Sequence, residues 1–298
     1  MPDPAVETTE ETILLEVLAS LHPTAKRNSL RRMVDHGRVR VNGKKATRAN
    51  MKVRKNSLVE VLSKADGDKP QKKSKQTIPE PDILYFDEEV ILANKPAGLL
   101  SVATDRGELD TMFDRVAKWA WENGKTRTHL VHRLDRETSG CMIFARSAES
   151  KDMLQKQFKD RSVERIYHAV VHREPSEESG TIKLRILETK DKRVRLVEKG
   201  RRGGREAITH WQKEKVGPVH SLIRIKIDTG RRAQIRLHMQ HLGCPVAGDT
   251  RHGFGKASVN RLCLHATSLS FNHPDGDRMT IGSEIPSQLF SELNRRYN

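Results

Sequence analysis

Apolar residues near the start of the chain recur every three or four positions. Ile13, Leu14, Val17, Leu18 and Leu21 share one helical face and stop before Pro23. Thr8 with Glu11 reads as a capping box ahead of that run. Leu30, Met33 and Val34 predict a second, shorter helix, with Gly37 placed as its left-handed stop. The period then drops to two: Val39 and Val41 alternate with Arg38 and Arg40. Asn42-Gly43 follows, the pair favoured in a type I′ hairpin because both residues accept positive φ. Leu58, Val59, Val61 and Leu62 supply a closing strand. Periodicity fails over residues 65–81, where three prolines and four lysines predict a flexible linker. Beyond it, strands are predicted at 83–86, 90–93, 141–145, 166–171, 181–186 and 222–227, and helices at 112–121, 148–158 and 234–242. Strands outnumber helices without regular alternation. The predicted fold class is α+β, a mixed, largely antiparallel sheet preceded by a small α/β module. The expected divisions are an acidic flexible N-terminus (1–11), the small module (12–64), a basic Pro/Lys linker (65–81) and the larger domain (82–298).

Charge adds a partner to this picture. The 298 residues carry a formal charge of +16, and its distribution is uneven. Residues 1–21 have a net charge of −5, residues 22–75 of +13 and residues 76–298 of +8. Like charge at that density marks either a disordered arm or a folded binder of polyanions, and the periodicity favours the folded module. Arg31 and Arg32 would lie on its second helix, with Arg38, Lys44 and Lys45 on the hairpin. Such a set suits the phosphates of a structured RNA; a solvated charged face is the alternative. No apolar run approaches the roughly 18 residues of a membrane span, and the acidic start does not read as a secretory signal. Three cysteines fit a reducing compartment. The expectation is a cytoplasmic monomer that binds structured RNA and no membrane.

The densest polar cluster is VHRLDRETSG, residues 131–140, just before the apolar run CMIFA. Asp135 there is flanked by His132, Arg133, Arg136, Thr138 and Ser139. One reading is a strand-entry loop with internal ion pairs. The other is a carboxylate kept ionised by arginines, suited to a nucleophilic or electrostatic role and poor as a general acid. No G-x-S-x-G turn accompanies it, so an acyl-transfer triad has no support. His238-x-x-His241-x-x-Cys244, with His265 further on, offers metal-ligand side chains. Their helical spacing beside Leu237 and Leu242 favours packed or phosphate-facing histidines, and no metal is assigned.

Two families share these motifs. The stretch SLRRMVDHGRVRVNG, residues 29–43, resembles the S4 RNA-binding domain, although the first helix lacks the Arg-Leu-Asp opening common there. His132-Arg133-Leu134-Asp135-x-x-Thr138-Ser139-Gly140 resembles the signature of the RluA-type pseudouridine synthases. The order of Asn94-Lys95-Pro96-Ala97-Gly98, Arg165-Ile166-Tyr167, Thr229-Gly230-Arg231, Gln234-Ile235-Arg236-x-His238 and Gly248-Asp249 is similar to that family's motifs as well. Arg232-Ala233 departs from it, standing where Thr-His is usual.

The resemblance implies an isomerisation of uridine to pseudouridine, without metal or other cofactor. It gives Asp135 the central role, paired with Arg236, and places Tyr167 against the target base, where it would also help remove the C5 proton. Arg133, His132 and Thr138 are then substrate-binding residues, with Arg133 filling the space of a flipped base or holding a phosphate. Whether Asp135 attacks sugar or base stays open. Large-subunit ribosomal RNA is the expected substrate. The alternatives are the same chemistry on transfer RNA, and a non-catalytic S4-type protein that binds ribosomal RNA or assists ribosome assembly.

Overall fold

A computed structural model describes residues 5–63, 78–104, 107–189, 191, 193–197, 201–254 and 260–296. The chain forms two compact units, Met1–Thr77 and Ile78–Asn298.

The first unit contains β1 (Ala5–Glu7), β2 (Thr12–Ile13), α1 (Leu14–Leu21), α2 (Arg27–Asp35), β3 (Val39–Val41), β4 (Lys44–Lys45), β5 (Lys52–Val53) and β6 (Leu58–Val61). Four strands pair in the order β1-β6-β3-β4, and β2 pairs with β5. Leu14, Leu18, Leu30, Val34, Val39 and Val59 make its core, so both predicted helices bury the expected faces except at Ile13, which ends β2 and is exposed. Gly37 has φ 65° and its N–H reaches the Val34 carbonyl, while Arg38 N–H reaches Met33, the predicted left-handed stop. Asn42 and Gly43, at φ 51° and 74°, close the predicted hairpin.

The acidic start departs from expectation. Residues 5–7 pair antiparallel with β6, where Val6 packs on the core and covers an otherwise open strand edge. Thr8 caps no helix. Its hydroxyl donates to the Arg54 carbonyl at 2.6 Å and accepts from Ser57 N–H at 2.9 Å, which ties the start to the turn before β6. Helix α1 begins six residues later, and a backbone bond from Leu14 N–H to Met51 O substitutes for a side-chain cap.

Most of the expected linker lies outside the described residues. By Ile78 the chain is already held in the second unit, since Lys118 Nζ donates to the Ile78 carbonyl.

The second unit runs β7 (Asp82–Phe86), β8 (Val90–Lys95), α3 (Met112–Glu122), β9 (His129–Leu130), β10 (Ser139–Ala145), α4 (Ala148–Lys159), β11 (Glu164–His172), β12 (Ser179–Glu188), β13 (Val194–Leu196), β14 (Arg205–Val216), β15 (His220–Ile227), α5 (Gln234–His241), β16 (Leu264–Asn272), β17 (Arg278–Gly282) and α6 (Ser287–Leu293). One sheet has the order β13-β12-β14-β15-β11-β16-β10-β8-β7, with β17 on β16 and β9 on β10. Pairing among the described strands is antiparallel except for β10 with β16. Met142 and Phe144 of β10 face a core shared with α3, α5 and α6; Cys141, Ile143 and Ala145 face the core under α4. The sheet is therefore covered on both faces, which explains why β10 reads as a continuous apolar run.

The parallel pair needs Gly140. Its φ is 116°, and a Cβ there would lie 2.1 Å from the Ala266 carbonyl oxygen. Strand β10 therefore lies hard against β16 at the point where the polar loop begins. No helix among the described residues is long and apolar enough to cross a membrane.

Candidate active site

Three interlocking ties hold the loop that carries Asp135. The Lys95 ammonium, fully buried at the end of β8, donates to the carbonyls of Pro96, Leu99 and Arg136 at 2.9, 2.7 and 3.0 Å. Gly98 N–H donates to Arg136 O, and Arg136 Nε returns a bond to Gly98 O, both at 2.9 Å. Buried Ser101 donates its hydroxyl to Leu134 O and accepts from Leu134 N–H. Burial pulls the Lys95 ammonium down to about 7, opposed by the charges of Glu137 and Asp135. Two loops, 96–101 and 134–138, thus behave as one piece.

Asp135 projects half-buried from that piece. Its Oδ2 accepts from Ala233 N–H at 3.2 Å, and Ala233 is the N-cap of α5. The carboxylate therefore sits at the positive end of a helix, where a negative charge is favoured. Ala233 has φ 52° and ψ 25°, a left-handed conformation costing about 1–2 kcal/mol for a residue with a Cβ. The loop that departs from the family pattern is thus intact, and strained at the residue that touches Asp135. The flanking arginines do not supply the expected ion pairs. Arg133 is exposed, Arg136 turns to Gly98 and Glu137, and no described residue forms an ion pair with Asp135.

Arg236 also departs from expectation, because its partner is Asp249. The pair is bidentate, Nε to Oδ2 at 2.7 Å and Nη2 to Oδ1 at 2.6 Å, with both residues buried. Asp249 Oδ1 accepts further bonds from Arg251 and His252 N–H at 2.9 Å. Burial works against both charges and is overcome by this pairing. Arg236 stays above its ordinary value, helped by Asp249, Asp135 and Glu137, and Asp249 stays below the usual carboxylate range. The arginine lies in the first turn of α5, and the aspartate stands in the loop that follows the helix. Arg236 thus contributes positive field to Asp135 without binding it.

Buried Gln234 fixes the start of α5. Its Oε1 accepts from Thr229 Oγ1 and Arg231 N–H, and its Nε2 donates to Ile208 O and Thr209 Oγ1.

Tyr167 lies in β11 beside β16, at a register shift between Ile166 and Tyr167, and is 7% exposed. Burial pushes its phenol up to about 12, against the nearby Arg165 charge. Buried Arg165 donates to Asp228 O at 2.8 Å and stacks over Phe158. His132 and Thr138 make their contacts within the fold. His132 Nε2 accepts from Ile143 N–H at 3.1 Å while its ring stacks on Phe158 at 4.6 Å, and burial drives its pKa down to about 3. A neutral acceptor is what that bond needs. Thr138 is 3% exposed and closes the turn by donating its N–H to Asp135 O.

Residues 89–241 match the RNA pseudouridylate synthase family, and residues 14–59 match the S4 domain. The chain belongs to the RluA-type RNA pseudouridine synthases, with an N-terminal S4 domain. It is 31% identical to an uncharacterized RNA pseudouridine synthase of Bacillus subtilis, YlyB, over 91% of this chain and 90% of that one. It is also 31% identical to ribosomal large subunit pseudouridine synthase D of Neisseria meningitidis serogroup B, over 93% and 77%. The human protein RNA Pseudouridylate Synthase Domain Containing 4 shares the fold, with a TM-score of 0.61 and 24% identity over 71% and 91%. The synthase is thus an isomerase built on an α+β fold.

In the synthase's S4 domain, Arg31, Arg32, Lys44 and Lys45 are exposed on α2 and the β3–β4 hairpin. Arg38 is half-buried and partly structural, with Nε on the Leu62 carbonyl at 2.9 Å. The metal-ligand side chains noted in sequence are not brought together. His238 is fully buried against Thr209 Oγ1, Cys244 packs in the core, and His265 bridges Ser139 and Ser283. Among the described residues no group of three or more His, Cys, Asp or Glu is arranged to hold a metal ion.

Lys95 and Asp249 belong to the family-like motifs, and the sequence by itself assigns neither a role. The signal for Lys95 is a cation at the end of a strand that opens with the apolar run VILA; for Asp249 it is a carboxylate within a turn.

Proposed function

We propose that the synthase isomerises uridine in large-subunit ribosomal RNA, with Asp135 as the catalytic carboxylate. The observation that carries this reading is the Asp135 side chain itself. It is half-buried, free of any ion pair among the described residues, and held by one N–H at the positive end of α5. The reaction breaks the bond from uracil N1 to C1′, turns the base, and joins C5 to C1′. The C5 proton leaves and N1 gains one, so atoms balance without an added reactant. A carboxylate near C1′ fits that demand, since positive charge develops on the sugar as the bond opens.

The other proposed roles are supported by position. Arg236, locked by Asp249, keeps the field at Asp135 positive. Tyr167 presents a neutral phenol that bounds the base pocket. Its raised pKa keeps it protonated at neutral pH, a surface to stack on with very little phenolate available to take a proton. Arg133, exposed beside Asp135, fills the stack left by the flipped base, whose extrusion costs on the order of a few kcal/mol. The S4 domain docks on structured RNA through Arg31, Arg32, Lys44 and Lys45. The +16 charge and the relative named for the ribosomal large subunit support a ribosomal target.

The test maps pseudouridine across total RNA from cells with the gene intact, deleted, or carrying Asp135→Ala. The expected result is loss of defined large-subunit sites in both altered strains. Loss of transfer-RNA sites instead would move the substrate. Sites that persist with Asp135→Ala would remove Asp135 from the chemistry.

A further inference from the structure

The isomerisation releases a proton from C5, and a side chain near Asp135 must receive it. Tyr167, raised to about 12 by burial, stays protonated at neutral pH. The other titratable groups around Asp135 narrow the choice. Lys95 is fully buried and directs its ammonium to three carbonyls, while Glu137 lies 3.8 Å from the Arg136 guanidinium. The Nε2 of His132 already accepts the Ile143 N–H. His252 is different. It is half-buried, and its imidazole makes no hydrogen bond or ion pair among the described residues.

The turn that carries His252 is pinned at both ends. Asp249 Oδ1 accepts the Arg251 and His252 N–H groups at 2.9 Å, while the same carboxylate grips Arg236. A Cβ on Gly253 would lie 2.2 Å from the Asp249 carbonyl oxygen, so the turn closes this tightly only over glycine. At the far end, the Phe254 ring lies 5.4 Å from the His172 ring and 4.8 Å from the Arg173 guanidinium. Both partners stand at the end of β11, the strand of Tyr167. Arg236 follows Ala233 by three residues, and the Ala233 N–H holds Asp135. The charges that act on the imidazole are those of Asp249 and Arg251 on its own turn, Arg236 on α5 and Asp135 on the 134–138 loop. Burial pulls His252 below its ordinary 6.5; Arg236 and Arg251 add to the pull, and Asp249 and Asp135 oppose it. A neutral imidazole at pH 7 has a lone pair available for a proton.

We propose that His252 is the catalytic base that moves the proton from C5 to N1 of the turned uracil. The inference rests on Asp135 being the reacting carboxylate. Once C5 is joined to C1′, that carbon still carries its hydrogen, and the ring holds an N1=C6 double bond. The imidazole takes the hydrogen as a proton. The C–H electron pair becomes the C5=C6 bond, and the former N1=C6 pair moves to N1. The imidazolium then protonates N1. His252 ends neutral, and no co-reactant is consumed.

The probe is a synthetic RNA spanning a mapped site, with hydrogen or deuterium at C5 of the target uridine. Full-length wild type, His252→Ala and His252→Gln are compared in steady-state and single-turnover kinetics. Both variants should lose about a hundredfold in kcat, the scale of a positioned base, with KM changed less than about twofold. Removal of the C5 hydrogen should become the slow step, so their deuterium effect should exceed that of wild type. Added imidazole should restore part of the activity of His252→Ala. Wild-type kcat should fall on acidification below about pH 6.5, as the imidazole gains its proton, and that limb should vanish in His252→Gln. Melting temperatures should match wild type, and if His252→Ala melts early, His252→Gln carries the comparison. The proposal is overturned if the deuterium effect and the acid limb are the same in all three proteins, or if only KM rises. If His252→Ala keeps full activity while Asp135→Ala is dead, the His252 assignment alone fails. If Asp135→Ala remains active, the reading beneath it fails.

Discussion

Arg236 and Asp249 face each other through two short hydrogen bonds, 2.6 and 2.7 Å, with both side chains buried. The pair joins the first turn of α5 to the following loop, and α5 in turn presents its N-terminus to Asp135. Asp249→Ala leaves a buried guanidinium without its counter-charge, and a change of this kind costs about 3–5 kcal/mol. Urea unfolding of the full chain should show that loss, with activity falling alongside. Replacing both residues by apolar ones of similar size should recover much of the stability and none of the activity. An unchanged unfolding midpoint for Asp249→Ala would show that the pair is not structural.

Asp135→Asn keeps the shape of the side chain and an acceptor for Ala233 N–H, and removes only the charge. Turnover is expected to fall at least about a thousandfold, the scale on which enzymes lose a nucleophile. Stability should stay within about 1 kcal/mol of wild type, because the residue is half-buried and makes few contacts. Single-turnover pseudouridine formation, paired with thermal melting, separates the two effects.

His132 contributes a pH dependence whose sign is fixed. Its folded pKa is driven down to about 3, while the unfolded chain titrates near the ordinary value of 6.5. Between those values the unfolded state binds the extra proton, so stability rises with pH across the window. The contribution is fully present above about pH 6.5 and is lost as pH falls toward about 3. His132→Gln preserves a neutral acceptor near Ile143 N–H. Its unfolding free energy should decline less steeply than that of wild type between pH 6.5 and 4. Parallel curves would mean that the imidazole is solvated.

Gly140→Ala should be among the most damaging small changes in the chain. The new methyl would meet the Ala266 carbonyl at 2.1 Å, so the parallel β10–β16 contact must open where the Asp135 loop begins. Destabilisation of more than about 3 kcal/mol is expected, within the range of severe overpacking and backbone strain. Differential scanning calorimetry would detect it.

Arg31, Arg32 and Lys44 are exposed in the S4 domain. Changing all three to alanine removes up to three phosphate contacts and should flatten the salt dependence of RNA affinity by about two to three log units per log unit. kcat at saturating RNA should hold. A fall in kcat with unchanged affinity would argue against docking as their role.

Much of this organisation was legible locally. The hairpin at Asn42-Gly43, the stop at Gly37 and the helices over 112–121 and 148–158 depend on residues within a few positions of one another, and each appears where periodicity put it. Strand β14 was missed because its buried residues are Ala207, Thr209 and Trp211, set among charged neighbours, so no apolar alternation stands out. Strands β16 and β17 and helix α6 were missed as well; β16 takes its place between the distant β11 and β10, and β17 folds back on β16 as a hairpin. The capping box at Thr8 failed because its hydroxyl found a backbone partner 46 residues away.

The site divides along the same line. The motif around Asp135 and the family it signals were written in contiguous residues, because a loop's chemistry is local. Pairing was not. Arg236 lies 13 positions from Asp249, and Ala233 lies 98 positions from Asp135. Both partners are chosen by where α5 seats against the sheet. Local sequence thus set the elements, the docking charge and the carboxylate, since each depends on short-range propensity or residue chemistry. Tertiary structure alone decided that Arg236 bonds Asp249, that His132 and Thr138 turn inward, and that Lys95 clamps two loops. Those choices depend on which buried polar groups must find partners once distant strands have met.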